Sequence, residues 1–289
     1  MVKKYSDLYL DLRKTLLPTE GEQAGMLARS LICHVTGKTP EQFLADREKY
    51  AGESIQQEID SCLQRILKGE PLAYVLENWE FYGMQLYVNR NVLIPRDDTC
   101  AVAGLAMKKA LFLDQDPRIL DLCTGSGCIG LAVAQRVKDA RVTLADISRE
   151  ALTVARKNVS LHKLAGRVSC VLADALQPAP AFLGEFDMII SNPPYVTTAE
   201  MLTLPESVRD YEPHLALHGG MDGLDFYRSI VKNYVPILKP GGYLCLEFGM
   251  GQGDAVCSIL TRAGLEICDR VLDFNERERA VLARKCRED

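Results

Sequence analysis

The stretch Arg118-Ile119-Leu120-Asp121-Leu122-Cys123-Thr124-Gly125-Ser126-Gly127-Cys128-Ile129-Gly130 runs from a short apolar strand through a glycine turn straight into a helix. Glycine has no Cβ, so Gly125 and Gly127 let the backbone turn tightly and approach a ligand closely. Beyond the turn the chain alternates. Helix is expected over 128–137, strand over 141–144, helix over 149–161 and strand over 168–172. A strand over 186–191, a helix over 225–238, a strand over 243–248 and a helix over 254–263 follow, with final strands near 266–272 and 279–283. Strands separated by helices over short links predict an α/β protein with a parallel, doubly wound sheet. Its ligands belong beyond the carboxyl ends of the strands.

Asp146 closes the strand Val142-Thr143-Leu144-Ala145, about 20 residues past the glycines, where a carboxylate takes the ribose hydroxyls of a nucleoside cofactor. Taken singly, the glycines could form a plain structural turn and Asp146 could cap the helix that starts near Arg149. Strand, glycine turn and acidic strand end in succession point to a nucleoside. No Lys-Ser/Thr of a P-loop follows, which argues against a triphosphate. Gly125-x-Gly127-x-x-Gly130 also fits the loose dinucleotide pattern, so the cofactor has to be identified from elsewhere in the chain.

Upstream, residues 1–70 carry helical spacing throughout, as in Tyr5, Leu8, Leu12 and Leu16 or Leu27, Leu31 and Val35. Thr39-Pro40-Glu41-Gln42 has a capping Thr, Pro at the first helical position and Gln three residues after the cap. Ser54-Ile55-Gln56-Gln57 repeats the capping pattern ahead of Ile55, Ile59, Cys62, Leu63 and Ile66, and Lys68-Gly69 ends that helix. Residues 1–70 hold 10 Lys plus Arg against 11 Asp plus Glu, so this small bundle is nearly neutral and suits either plain packing or partner binding. From 71 to 95 aromatic and β-branched residues with turn signals at Gly83 and Asn89-Arg90-Asn91 predict a β-hairpin joining the two halves. Residues 96–289 then form the cofactor-binding part.

At 289 residues the chain is long enough for about two domains. Its net charge of -5 argues against gripping nucleic acid or anionic membrane through bulk positive charge. No apolar run reaches the ~18 residues of a membrane span, and Asp7 and Asp11 interrupt the place of a signal-peptide core. The ten cysteines show no two-residue spacing, which reads as free thiols in a reducing cytoplasm. His214 and His218 have metal-like spacing but sit among Pro213 and Gly219-Gly220, so no metal is expected.

The strand Phe186-Asp187-Met188-Ile189-Ile190-Ser191 delivers Asn192-Pro193-Pro194-Tyr195. Two prolines remove two backbone donors and hold the chain extended, so the Ser191 and Pro193 carbonyls are expected to face a ligand beside the Asn192 amide and the Tyr195 ring. With Asp121-x-x-x-Gly125-x-Gly127 and Asp146 upstream, this loop resembles that of class I methyltransferases acting on amide or exocyclic amine nitrogen. Gly69-Glu70-Pro71-Leu72-Ala73-Tyr74, Trp79-Glu80-Phe81-Tyr82-Gly83, Leu93-Ile94-Pro95-Arg96, Tyr211-Glu212-Pro213, Gly219 to Asp225 and Leu246-Glu247-Phe248-Gly249 narrow the likeness. Across nearly its whole length the chain is similar to the HemK/PrmC family of release factor glutamine methyltransferases.

That resemblance implies a class I (Rossmann-like) methyltransferase sheet, a small N-terminal helical bundle that recognises the substrate, and a linking β-hairpin. It implies methyl transfer from S-adenosylmethionine to the side-chain amide N5 of Gln in the Gly-Gly-Gln motif of peptide chain release factors. The chain would then be a cytoplasmic monomer that binds neither nucleic acid nor membrane. Asn192, Pro193 and Tyr195 would be catalytic, and with Pro194 would hold the substrate amide. Cys123, Thr124, Gly125, Ser126, Gly127 and Asn192 would bind the cofactor, the turn residues bordering its methionine part. Asp146 would take the ribose, and Asp174 with Ala175 the adenine edge. Two positions depart from the family pattern: Cys123 stands for the usual Gly, and Arg96-Asp97-Asp98-Thr99-Cys100 lacks the usual Pro and final Glu. Adenine N6-methyltransferases of nucleic acid share the Asn/Asp-Pro-Pro-Tyr loop and are the competing reading, since a flipped base also offers an amine. A non-catalytic binder of release factors is a third.

Overall fold

The computed structural model describes residues 2–286, and the chain divides into two compact units, Met1–Glu77 and Asn78–Asp289. In the first unit α1 (Tyr5–Glu20), α2 (Ala24–Thr36), α3 (Pro40–Asp46), α4 (Glu53–Leu67) and the short α5 (Leu72–Val75) enclose their own core. Leu8, Leu12 and Leu16 of α1 and Leu27 and Leu31 of α2 are buried there, as their spacing requires. Thr39 forms a complete capping box: its Oγ1 accepts the Gln42 N–H at 3.2 Å and Gln42 Oε1 accepts the Thr39 N–H at 2.9 Å. Ser54 does not cap α4, because the cap is Gly52, two residues earlier, and Ser54 already lies inside the helix. Tyr74 and Val75, which read as part of a β segment, lie in the helical turn α5 instead.

In the second unit, β1 (Trp79–Phe81) and β2 (Met84–Leu86) form an antiparallel hairpin. Its two turn residues, Tyr82 and Gly83, both have positive φ (53° and 72°), the twist-matched form of a two-residue hairpin turn. Next comes α6 (Cys100–Ala110), then β3 (Arg118–Leu122), α7 (Cys128–Arg136), β4 (Arg141–Asp146), α8 (Arg149–Leu161), β5 (Val168–Leu172) and β6 (Phe186–Ser191). The chain ends with α9 (Glu206–Arg209), α10 (Asp225–Asn233), β7 (Leu238–Glu247), α11 (Gly253–Arg262), β8 (Leu265–Leu272) and β9 (Glu278–Lys285).

The seven-stranded sheet has the order β5-β4-β3-β6-β7-β9-β8. Its first five strands are parallel, as the alternation of strand and helix predicts, and β9 lies antiparallel between β7 and β8 at the edge. Only residues 273–277 separate β8 from β9, and so short a link joins antiparallel neighbours only. The helix expected to reach residue 238 stops at Asn233, because Pro236 cannot donate into a continuing helix. Consequently β7 starts at Leu238 rather than Tyr243. Leu120, Leu122, Phe186, Ile189, Leu244 and Leu246 are fully buried where the sheet meets its helices. No helix among the described residues is long and apolar enough to cross a membrane.

The strand order reverses between β3 and β6. One runs on to β4 and β5, the other to β7, and their diverging connections open a cleft at the carboxyl ends. Register places Leu122 opposite Ser191, so the glycine turn after β3 and the Asn-Pro-Pro-Tyr loop after β6 emerge side by side.

Candidate active site

After β3 the glycine turn is fastened to the end of β4. Asp146 Oδ2 accepts the Gly125 N–H at 2.9 Å, and Oδ1 accepts the Ser148 N–H at 2.9 Å. The cap of α8 is Ser148, whose Oγ accepts the Ala151 N–H at 3.0 Å, so capping is not the role of Asp146. Burial raises the Asp146 pKa, opposed by these backbone donors. Asp121 lies fully buried beneath the turn, and its Oδ2 accepts Thr124 Oγ1 at 2.6 Å and the Gly130 N–H at 2.9 Å. Burial pushes its pKa up to about 7. A Cβ on Gly130 would come within 2.9 Å of Asp121 Oδ2 and 2.3 Å of Leu144 Cδ2, so only glycine lets α7 lie this close to the sheet.

After β6 the supports come from farther away. Ser191 stays in the ladder opposite Leu122 and Leu246, and its Oγ donates to the Leu122 carbonyl at 2.6 Å. Pro193 is beyond the ladder, and among the described residues nothing donates to its carbonyl. Asn192 Nδ2 donates to Thr99 Oγ1 at 3.3 Å. The Tyr195 carbonyl accepts Gln252 Nε2 at 3.0 Å, and the Val196 N–H donates to the Leu217 carbonyl at 2.9 Å. Three glycines press against the loop: a Cβ on Gly219 would sit 2.7 Å from the Pro194 carbonyl oxygen, on Gly223 2.3 Å from the Tyr195 carbonyl oxygen, and on Gly249 2.9 Å from Tyr195 Cδ2. Burial drives the Tyr195 hydroxyl far above its ordinary pKa, so it does not titrate. Glu212, buried, pairs with Arg96 and accepts the Ile94 N–H at 3.2 Å, tying the Leu93–Arg96 segment to Tyr211-Glu212-Pro213.

Between the two sides lies a cleft enclosing about 930 Å³, counting its open mouth. Cys123, Thr124, Gly125, Ser126, Asp146, Asp174, Asn192 and Pro194 line it. Gly127, Pro193, Ala175 and Tyr195 do not. Ala175 is turned into the core with its carbonyl accepting Ser229 Oγ at 2.7 Å, and Leu176 takes the wall in its place. Asp174 is both a wall residue and a turn former, since its Oδ1 accepts the Leu176 N–H at 2.8 Å. Sequence reasoning missed Asn158. Fully buried on α8, it donates to the carbonyls of Tyr87 and Ser126, each at 2.9 Å, and accepts the Tyr87 N–H at 2.7 Å. An Asn on the apolar stripe of Ala151, Ala155 and Val159 was the available signal. His214 Nε2 meets the Arg209 carbonyl and His218 Nε2 meets Thr198 Oγ1, and no metal-binding cluster occurs among the described residues.

Two family models match the chain, the PrmC N-terminal domain over residues 7–76 and the methyltransferase small domain over residues 104–221. The release factor glutamine methyltransferase of Clostridium acetobutylicum is 35% identical over 281 residues, 97% of this chain and 98% of the relative. The chain belongs to the release factor glutamine methyltransferase family. The family's protein of the same name from Chlorobaculum tepidum is 38% identical over 268 residues, 90% of each chain. A solved methyltransferase from Pyrococcus furiosus shares the fold, with a TM-score of 0.51 at 17% identity over 78% of this chain and 99% of that one.

Membership makes the chain an S-adenosylmethionine-dependent methyltransferase, and the cleft fits that cofactor. Ser126 Oγ is buried without a protein partner, and Ser126 lines the cleft beside the Asp146 carboxylate. The departure at Cys123 has a local cost. Its φ of 60° lies in the left-handed region that favours the glycine usual at this place. Burial raises the thiol pKa well beyond the ordinary range, so Cys123 serves as wall and not as nucleophile. Cys100, the other departure, opens α6 half-buried, with its thiol pushed up to about 11 by burial.

Proposed function

We propose that this chain transfers the methyl group of S-adenosylmethionine to the side-chain amide N5 of the Gln in the Gly-Gly-Gln motif of peptide chain release factors. The observation that carries this reading is the cleft at the β3/β6 switch, with the Gly125–Asp146 wall on one side and Asn192 and Pro194 on the other. Asp146 holds the ribose, Cys123 to Gly127 border the methionine part near Asn192, and the Asp174-Ala175 segment edges the adenine. Family membership at 35–38% identity over nearly the full chain supports the choice of substrate.

Bound S-adenosylmethionine supplies an electrophilic methyl whose sulfur leaves as a neutral thioether, so no side chain has to protonate the leaving group. The difficulty lies in the nucleophile, because an amide lone pair is delocalised into its carbonyl. Asn192 Oδ1 and the Pro193 carbonyl accept the two amide N–H groups, which localises the pair and holds it in line for attack. Pro194 closes that side of the cleft. Tyr195 braces the loop from behind, through Gly249 and Gln252. The spare amide proton passes to water after transfer. Residues 1–70 recognise the protein substrate, which places the reaction in the cytoplasm where release factors act. A chain beginning at Asn78 then keeps its affinity for S-adenosylhomocysteine and methylates intact release factor poorly.

The test is incubation with methyl-labelled S-adenosylmethionine and a purified release factor, followed by mass spectrometry of the Gln-bearing peptide. Label on that Gln is the expected result. Absence of label there, or label on duplex DNA offered in parallel, would overturn the reading.

A further inference from the structure

Beside Asn192 lie two polar side chains that the proposed reaction leaves without a task, Thr99 on the cleft wall and Glu247 buried in the sheet. Ser191 pairs with Leu246, so the next residues, Asn192 and Glu247, leave adjacent strands at the same level. Glu247 and Thr99 are each 1% exposed. Asn192 Nδ2 donates to Thr99 Oγ1 at 3.3 Å, and the buried Glu247 follows Leu246 on the neighbouring strand at the level of Asn192. Glu247 Oε2 is buried with no partner of its own. Both residues are fixed from behind. The Glu247 carbonyl accepts the Tyr227 hydroxyl at 3.0 Å, the Thr99 N–H donates to the Arg96 carbonyl at 3.1 Å, and the neighbouring Asp98 is held by Arg279 at 2.9 Å.

A side-chain amide has an acceptor end and a donor end of nearly the same shape, and a half-turn exchanges them at little steric cost. A substrate N–H finds an acceptor at Asn192 only if Oδ1 is the end presented. We infer that Thr99 and Glu247 are positioning residues that draw the NH2 end of Asn192 inward and so present Oδ1 to the methyl-accepting amide. This rests on the function proposed above. Thr99 Oγ1 is the acceptor that Nδ2 meets. The Glu247 carboxyl keeps an acceptor oxygen in either protonation state.

The variants that test it are Thr99→Val, which keeps shape and removes the acceptor, Thr99→Ser, which keeps the hydroxyl, and Glu247→Gln, which replaces an acceptor by an amide. With release factor saturating, Thr99→Val and Glu247→Gln should lower kcat by ~10–100-fold, the scale seen when a supporting hydrogen bond behind a functional group is lost. Affinity for S-adenosylhomocysteine should stay within about twofold, and Thr99→Ser should restore most of the rate. A second arm needs no methyl acceptor. The Asn192 side-chain NH2 resonances, assigned by their loss in Asn192→Asp, should exchange slowly with solvent in the wild type and fast in Thr99→Val. Unchanged kcat in both Thr99→Val and Glu247→Gln, or a loss in Thr99→Ser as large as in Thr99→Val, would overturn the inference. So would rapid exchange of the Asn192 NH2 in the wild type, whatever the protein turns out to methylate.

Discussion

On the β3 side of the cleft, the glycine turn is held from within the single stretch β3 to α8: Asp146 by Gly125 and Ser148, the buried Asp121 by Thr124 and Gly130, and the Ser126 carbonyl by Asn158. On the β6 side, Asn192 to Tyr195 are held by Thr99, by Gly219 and Gly223, and by Gln252, from three distant parts of the chain. A nucleoside cofactor asks for one fixed shape, which a turn and the adjoining strand end can build alone. An amide that must be forced into nucleophilicity asks for acceptors at set angles, and those need bracing from several directions. The two walls therefore fail differently when cut, and each prediction below aims at one of them.

The largest effect is expected at Asn192. Asn192→Ala removes the acceptor that localises the amide lone pair, and losses at comparable sites run to ~10²–10³-fold in rate. Single-turnover transfer to saturating release factor measures it, with cofactor affinity checked separately. Next is Asp146→Ala. The carboxylate's charge-assisted bonds are worth ~1.5–3 kcal/mol each, so affinity for S-adenosylhomocysteine should fall by about 10–100-fold in calorimetric titration of a folded variant. Gly223→Ala follows. At φ 72° its Cβ would lie 2.3 Å from the Tyr195 carbonyl oxygen and 2.4 Å from Gln252 Nε2, on the hydrogen bond that anchors the loop. A stability loss of ~1–3 kcal/mol is expected by urea denaturation. The surviving folded protein should bind cofactor normally and transfer slowly, and normal transfer would show that the loop does not need this brace.

Smaller effects test the buried acids. Burial pushes the Glu247 carboxyl from an ordinary 4.5 up to about 8, with Thr99 and Arg279 opposing and Asp98 reinforcing. The folded state thus keeps a proton that the unfolded chain gives up. The stability linked to it is complete below 4.5 and disappears as pH rises through about 8. Between those values the unfolding free energy falls by about 1.4 kcal/mol per pH unit from this group. Asp121, raised to about 7, acts with the same sign. Denaturation at two pH values inside this window should find Glu247→Gln gaining on the wild type as pH rises, and a gap that stays constant would refute the buried neutral acid. Least of all, Cys123→Gly should stay within about 1 kcal/mol of the wild type, because relief of the left-handed backbone offsets lost side-chain burial. A thermal melt decides that.

The β3 wall was readable because its code is local. Asp121, the glycines and Asp146 lie within one strand-turn-helix-strand unit, and β3, α8, β5 and β6 have the limits that their residue patterns suggest. Asn192-Pro193-Pro194-Tyr195 was readable as a motif, but its braces were not. Gln252 stands in a glycine-rich stretch with nothing to mark a distant partner, and Asn158 hides in an apolar stripe. Helix α6 escaped because Val102, Ala103, Leu105, Ala106 and Met107 are all buried, which erases the polar face that periodicity needs. The first half of β7 was masked by Pro240-Gly241-Gly242, which reads as a turn yet runs along the sheet with a register shift opposite Phe186 and Met188.

The division of labour between the two walls is tested most directly by one paired measurement on Asp146→Ala and Asn192→Ala. Affinity for S-adenosylhomocysteine and single-turnover methyl transfer to a release factor are recorded for both, across rising S-adenosylmethionine. The account predicts a crossed result: Asp146→Ala binds weakly but recovers its transfer rate as cofactor saturates, while Asn192→Ala binds normally and stays slow at every concentration. If both variants lose affinity alike, or if Asn192→Ala regains its rate at saturation, the two walls do not divide the work and the central claim is wrong.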